Sequence, residues 1–277
     1  MSVPANERIG LALGGGGARG LSHILILECL DDLGIRPACM AGTSIGAVIG
    51  WAYASGIPAK EIRKHIIALL KDRRRIIGRL LEARVGRFRR LVTGGGNPML
   101  IDAEVFLPLV MPGGATMRFE NLAIPLRVVA TDFHGRAEAV FRDGPVQPAV
   151  AGSAAIPGLI RPVVHEGRVL IDGGAVNPLP FDVIEPECDV VIAVDVIGGL
   201  TVPTKPVPDP WETMFGSLQI LQGAIAQSKI ARRPPDILIR PPVGGYRVLD
   251  FFKCPAILKA GEACKDELKR ALDNILV

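Results

Sequence analysis

The residues most suited to chemistry in this sequence are five consecutive ones, Gly42 to Gly46, which read G-T-S-I-G. A short apolar run precedes them and an alanine-rich run follows, so Ser44 is predicted to lie in a sharp turn between a strand and a helix. Glycine at positions 42 and 46 removes the Cβ atoms that would crowd such a turn. Ser44 is therefore a candidate nucleophile at a helix N-terminus, although a plain βα turn with a small residue gives the same pattern.

A second glycine-rich loop, Gly14 to Gly20, lies between a predicted strand and a predicted helix. Its spacing fits the dinucleotide fingerprint G-x-G-x-x-G, but a dinucleotide site gives no role to the serine turn one crossover later. Two other interpretations are an oxyanion hole of backbone N–H groups and a turn that permits close helix–strand packing. In a parallel sheet both loops would lie at the same edge, as a shared site requires.

A serine nucleophile needs a base, and the histidines of this chain are badly placed for that role. The four histidines are His23, His65, His134 and His165, so the last 112 residues contain none. In α/β-hydrolases, by contrast, the catalytic histidine comes late in the chain. His165 falls in a predicted hairpin. His23 follows the glycine loop closely and is predicted to be a structural hydrogen-bond donor.

The best-placed carboxylate is Asp172, which ends a predicted strand and is followed by Gly173 and Gly174. The two glycines let the chain turn away and let another backbone come close. A partly desolvated aspartate with a raised pKa can take the serine proton directly. An ordinary Asp-Gly turn is the alternative interpretation.

Length and composition point to an α/β protein with a large aliphatic core. The chain has 277 residues, 49% of them hydrophobic but only 5% aromatic, and its mean hydropathy is +0.34. No apolar leader or 18-residue apolar run is present, and five cysteines without CxxC spacing fit reduced thiols, so a cytoplasmic protein is expected.

Periodicity predicts strands at 8–13, 37–43, 125–131, 137–141, 163–165, 168–171, 189–196 and 236–239, and helices at 21–33, 47–54, 59–70, 73–91, 102–110, 211–232 and 255–276.

Positive charge is concentrated between Lys60 and Arg90, where 12 Lys/Arg face three acids. The net charge of the whole chain is +4, so the remainder is negative and a nucleic-acid partner is not expected. The segment is predicted to be either a solvated helical face or an amphipathic surface on anionic lipid. One domain over 1–277, with a mobile segment at about 60–118, is the simplest organisation.

Five motifs, in order along the chain, resemble the patatin-like phospholipase family, in particular its bacterial branch, which is similar to the catalytic domain of neuropathy target esterase. They read G-G-G-A-R-G at 15–20, G-T-S-I-G at 42–46, A-T-D at 130–132, S-A-A-I-P at 153–157 and D-G-G-A-V-N-P-L-P at 172–180. The resemblance spans about residues 8–275. Leu13 stands where plant members carry an acid, and Leu25 where relatives often have glycine.

The resemblance implies a three-layer α/β/α fold with a mostly parallel sheet and a Ser–Asp dyad that needs no cofactor or metal. Ser44 would be the nucleophile and Asp172 the base. The loop Gly15, Gly16 and Gly17 would form the oxyanion hole, supported by Gly42, Gly46, Gly173 and Gly174. Arg19 would brace this loop or lie near a lipid phosphate.

The expected activity is hydrolysis of fatty-acyl esters of phospholipids, lysophospholipids or related lipids through an acyl-enzyme, with peripheral membrane contact through 60–90. Acyl transfer to an acceptor alcohol, and a lipid- or nucleotide-binding module without turnover, are the alternatives. A group of apolar side chains is predicted to line an acyl channel or lid, or else to belong to the core: Leu100, Ile101, Phe106, Leu107 and Met111.

Overall fold

An eight-stranded, mostly parallel sheet organises the computed structural model, which describes residues 7–74, 76–78, 80, 101–113, 115–197 and 207–275. The sheet order is β5-β6-β3-β2-β1-β7-β8, with β4 beside β3. Strands β1, β2, β3, β7 and β8 run parallel, while β4 and β6 run antiparallel to β3. The bounds are β1 Ile9–Leu13, β2 Cys39–Thr43, β3 Leu126–Asp132, β4 Ala137–Phe141, β5 Val163–His165, β6 Arg168–Asp172, β7 Val190–Val194 and β8 Ile237–Ile239.

Helices cover both faces of this sheet. Their bounds are α1 His23–Leu33, α2 Ile45–Ala54, α3 Ala59–Lys71, α4 Ala103–Val110, α5 Val146–Ser153, α6 Pro210–Arg232, α7 Cys254–Gly261 and α8 Cys264–Ile275. Short 3-10 turns lie at Gly17–Ser22, Phe119–Asn121, Gly173–Ala175, Phe181–Val183, Glu185–Glu187 and Phe251–Lys253.

The central strands are buried on both faces, which explains their continuous apolar sequences. On one face, Leu11 and Ile192 belong to a large core cluster that includes residues of α1, α2, α7 and α8. On the other, Ala12 and Val191 pack in a smaller cluster with Phe181 and with Ala226 of α6. The expected α/β/α layers with a mostly parallel sheet are therefore confirmed.

One edge of β3 pairs with two different strands, one after the other along its length. β2 pairs with β3 as far as Thr43 opposite Val129, and β6 pairs with β3 from Asp172 opposite Ala130. Because β4 pairs with residues 128–132 of β3, both β2 and β6 must occupy the other edge. The end of β2 and the end of β6 are thus placed at adjacent positions of one strand.

Most predicted elements agree with the structure within a few residues, with two local differences. The helix predicted to begin at Leu21 starts as a 3-10 turn and becomes α1 at His23, capped by Gly34 in the left-handed region. The predicted helix 255–276 is two helices, because the chain breaks after Gly261, where a side chain would meet Leu25. The predicted helix 73–91 lies largely outside the described residues, and the extent of the domain over 1–277 stays a prediction.

Within the ranges that the structure describes, no helix combines the length and apolar character that a bilayer span requires.

The turn that carries Ser44 depends on close packing of α2 against the end of β1. A Cβ atom at Gly46 would lie 2.1 Å from the carbonyl oxygen of Leu13. At Gly50, one turn along the same helix, the nearest atom would be 3.4 Å away, an ordinary contact.

We expect Gly46→Ala to lower the free energy of unfolding by about 3 kcal/mol, because backbone must shift to admit the methyl group. Gly50→Ala is the matched control and should be neutral or stabilising by up to about 1 kcal/mol, since alanine favours a helix interior. Urea denaturation of both variants checks this. Equal effects at the two positions would contradict the close-packing explanation.

Candidate active site

Ser44 occupies a backbone conformation that few residues other than glycine adopt. It follows β2 directly and precedes α2, with φ 56° and ψ −123°. Such a conformation costs about 1–3 kcal/mol and persists only where the surrounding structure enforces it. It presents the side chain at the N-terminus of α2, and only 5% of the residue is exposed.

The side chains of Ser44 and Asp172 meet in a short hydrogen bond. Ser44 Oγ donates to Asp172 Oδ2 at 2.6 Å, and the N–H of Gly174 donates to Oδ1 at 2.8 Å. Asp172 ends β6 and Gly173 begins the 3-10 turn that follows, so both carboxylate oxygens are held at the end of the strand. The sequence prediction that these residues lie together agrees with this geometry.

Two hydroxyl groups fix the backbone on either side of this bond. The N–H of Ser44 donates to Ser153 Oγ at 2.9 Å, and Ser153 in turn donates to the carbonyl of Val129. Thr131 Oγ1 donates to the carbonyl of Asp172 at 2.8 Å. Neither Ser153 nor Thr131 was predicted to have a role, although both belong to the family motifs at 153–157 and 130–132.

Burial raises the pKa of Asp172 to about 6, while the hydrogen bonds from Ser44 and Gly174 act in the opposite direction. Asp172 as a whole residue is only 6% exposed. No lysine or arginine in the described ranges forms an ion pair with it. Desolvation therefore leaves a carboxylate that holds a proton more readily than an exposed aspartate.

The glycine loop lies beside Ser44, and its N–H groups differ in their partners. The N–H of Gly15 donates to the carbonyl of Pro178 at 2.9 Å, and that of Ala18 donates to Val248 at 2.7 Å. The N–H groups of Gly16 and Gly17 have no acceptor among the residues that the structure describes. Gly17 has φ 60°, and a Cβ there would lie 2.4 Å from the carbonyl oxygen of Val248.

None of the four histidines forms a hydrogen bond with Ser44 in the described structure. His23 is fully buried and its Nε2 donates to the carbonyl of Gly14 at 2.8 Å, as a structural donor was predicted to do. Burial lowers the pKa of His23 to about 4. His165 packs against Phe141 with ring centroids 5.2 Å apart, and His65 bonds to the carbonyl of Val110.

Arg19 belongs to the glycine-rich loop, in the 3-10 turn Gly17–Ser22, and is 2% exposed. Burial lowers the pKa of its guanidinium, and the nearby Asp195 raises it. Of the two predicted roles, bracing the loop fits this burial, whereas contact with a lipid phosphate would require the side chain to move.

A cavity of about 130 Å³ opens onto the Ser44–Asp172 pair. The backbone of Gly16 and Gly17 lines one side and α6 lines the other, with the apolar side chains Phe215, Leu218, Leu221 and Ile225. None of the four described residues that were predicted to form an acyl channel lines it. Ile101 and Leu107 are buried in the core, Phe106 and Met111 are half-buried, and Leu100 lies outside the described residues.

No group of three or more histidine, cysteine, aspartate or glutamate side chains is placed to hold a metal ion within the described ranges.

Comparisons with known proteins identify relatives of the chain. The model of the patatin-like phospholipase family matches residues 11–184, more than half of the chain. An uncharacterized NTE family protein of Mycobacterium tuberculosis is 35% identical over 202 residues, 73% of this chain and 52% of its own length. Lysophospholipase NTE1 of Kluyveromyces lactis is 27% identical over 288 residues, 94% of this chain. This chain spans about half the length of the mycobacterial relative and 19% of the yeast one.

Among solved structures, VipD from Legionella pneumophila is similar with a TM-score of 0.53 at 13% sequence identity. The alignment covers 98% of this chain and 67% of that one. At this identity the likeness concerns the fold alone, and it agrees with the α/β/α layers described above. On the family-model match, this chain belongs to the patatin-like phospholipase family.

Proposed function

We propose that this protein is a lipid acyl hydrolase in which Ser44 is the nucleophile and Asp172 is the general base. The observation that carries the proposal is the 2.6 Å hydrogen bond between the buried Ser44 hydroxyl and the Asp172 carboxylate. A base must be within hydrogen-bond reach of the proton that it removes and must have a pKa near the working pH. Asp172 meets both conditions, since burial raises its pKa to about 6.

In the proposed reaction, Ser44 Oγ attacks the ester carbonyl carbon as its proton passes to Asp172 Oδ2. The oxyanion of the tetrahedral intermediate accepts hydrogen bonds from the N–H groups of Gly16 and Gly17. When the intermediate collapses, the proton on Asp172 passes to the leaving alcohol and the acyl group stays on Ser44. Water, deprotonated by Asp172, then attacks the acyl-enzyme; the bond to Ser44 Oγ breaks, Asp172 returns the proton to that oxygen, and the fatty acid is released.

An apolar acyl chain suits the wall that α6 contributes to the cavity. Phe215, Leu218 and Ile225 face the same cavity as Ser44. Leu221 also lines the cavity and is 61% exposed, so the apolar surface continues from the cavity to the outside. The names of the relatives, which include lysophospholipases, support phospholipid or lysophospholipid esters as the substrate class.

Membrane contact through residues 60–90 stays a prediction, and the described part of this segment lends it little support. Three cations of α3 form ion pairs with acids of the same chain. Lys60 pairs with Asp32, Arg63 with the buried Glu28, and Lys64 with Glu61. Residues 81–90 lie outside the described part.

We expect Ser44→Ala to reduce kcat/KM for a fatty-acyl ester by about 10⁴-fold or more, and Asp172→Asn by about 10³- to 10⁴-fold, because each removes one half of the proposed dyad. Ser44→Ala should also abolish covalent labelling by a fluorophosphonate. Esterase assays and mass spectrometry of the labelled protein check both results.

Ser217→Ala and Asp273→Asn, at exposed positions, are matched controls and should keep full activity. Retention of most activity in Asp172→Asn, together with its loss in His134→Ala or His165→Ala, would show that the base is a histidine.

We expect kcat/KM of the wild-type protein to fall as pH decreases through about 6. Asp172 accepts the serine proton only when it is ionised, and burial raises its pKa to about 6. The rate should drop tenfold per pH unit below that value, as for one essential base. A pH profile with a neutral, soluble ester measures this. A falling limb centred near pH 4 would contradict the raised pKa of the base.

The same burial predicts a stability effect of Asp172→Asn. Between about pH 4 and pH 6 the folded state keeps a proton on Asp172 that the unfolded state has lost, so wild-type stability falls as pH rises through this window. Relative to wild type, the free energy of unfolding of the asparagine variant should therefore increase by up to about 3 kcal/mol from pH 4 to pH 7.5. Urea denaturation at both pH values tests this, and a difference independent of pH would refute it.

A further inference from the structure

Two cysteine thiols meet at the end of the sheet opposite to Ser44. Cys39 is the first residue of β2 and Cys188 lies two residues before β7, and their Sγ atoms are 2.8 Å apart. Cys39 is 3% exposed, whereas Cys188 is partly exposed. Both are free thiols in this structure.

The two thiols reach each other across β1, which separates β2 from β7 in the sheet. The residue between them is Gly10, the register partner of Cys39. A Cβ atom at Gly10 would lie 2.6 Å from Cys188 Sγ. Glycine at this position therefore leaves the space in which the two sulfur atoms come together.

The electrostatic surroundings make the two thiols unequal. The hydrogen bond from Cys188 and the Arg127 guanidinium lower the pKa of Cys39, against burial and the Glu187 carboxylate, which raise it. The hydrogen bond with Cys39 and burial raise the pKa of Cys188, although Arg127 and Arg8 act to lower it. Arg127 forms an ion pair with Glu187, the residue before Cys188. Its guanidinium therefore acts on both thiols.

The three other cysteines differ from Cys39 in the direction of their pKa shift. Burial raises the pKa of Cys29, raises that of Cys254 to about 11 and raises that of Cys264 to about 12. Because a thiolate is the reactive form of cysteine, these three are expected to be inert.

We propose that Cys39 and Cys188 form an oxidation site at which a hydroperoxide produces an intramolecular disulfide. The Cys39 thiolate attacks one peroxide oxygen, the O–O bond breaks, and the other oxygen leaves as hydroxide or alkoxide. The sulfur of Cys188 then attacks the Cys39 sulfenic acid, and the sulfenic oxygen leaves as water with the Cys188 proton. The two thiols are oxidised by two electrons, and the peroxide is reduced by two.

The test uses the full chain, freed of reductant and treated with hydrogen peroxide at a stoichiometric ratio. Thiol alkylation should count three of the five cysteines instead of five, and a non-reducing digest should contain one cross-link, between residues 39 and 188. Dithiothreitol should restore all five thiols. Because the bond would close a long loop, the melting temperature should rise by about 5–10 °C on oxidation.

Variants with one cysteine replaced test which thiol reacts with the peroxide and which one closes the disulfide. Cys188→Ser should stop at a Cys39 sulfenic acid that dimedone traps, whereas Cys39→Ser should leave Cys188 unmodified. Cys254→Ser is the matched control and should keep the 39–188 cross-link. Five unreacted thiols in the wild-type protein, a cross-link between other cysteines, or only intermolecular disulfides would overturn the proposal. These readouts do not depend on ester hydrolysis, so they can fail separately from the proposed function.

Discussion

The geometry of the candidate site depends on one hydrogen-bonding edge of β3. That edge pairs with β2 up to Val129 and with β6 from Ala130 onward. Ser44 leaves the end of the first partner and Asp172 ends the second, so a backbone ladder sets their separation before any side chain is considered. Ser153 reinforces the same point, because it binds the N–H of Ser44 and the carbonyl of Val129.

Desolvation gives this arrangement its chemical character. In a serine–histidine pair the base is neutral before reaction, whereas here the group beside the serine is the carboxylate of a buried aspartate. A buried carboxylate is costly unless donors satisfy it, and Ser44 and Gly174 supply one hydrogen bond to each of its oxygens. The remaining cost appears as a raised pKa, which is the property that a base working near neutral pH needs.

Local features of the site could be predicted from sequence, whereas its long-range contacts could not. The glycine spacing around Ser44 predicts a strand–turn–helix, because turn geometry is decided within five residues. Residue types made Asp172 the best candidate base for Ser44 but left an ordinary Asp-Gly turn open, and the family resemblance then favoured the pairing of these two residues, 128 positions apart. No local sequence pattern indicated that the N–H of Gly15 would donate to the carbonyl of Pro178, or that α6 would form the cavity wall. Both depend on how the last third of the chain folds back.

The contact between the glycine-rich loop and Val248 sets a lower limit on the length of chain that can form this site. Ala18 donates its N–H to the carbonyl of Val248, which also lies against Gly17. The segment matched by the family model ends at residue 184, before β7, α6 and Val248. A fragment cut at that boundary would keep Ser44 and Asp172 and still lose the strand beside β1, the apolar wall and the support of the loop. The segment that the family model matches and the segments that build this site therefore have different boundaries.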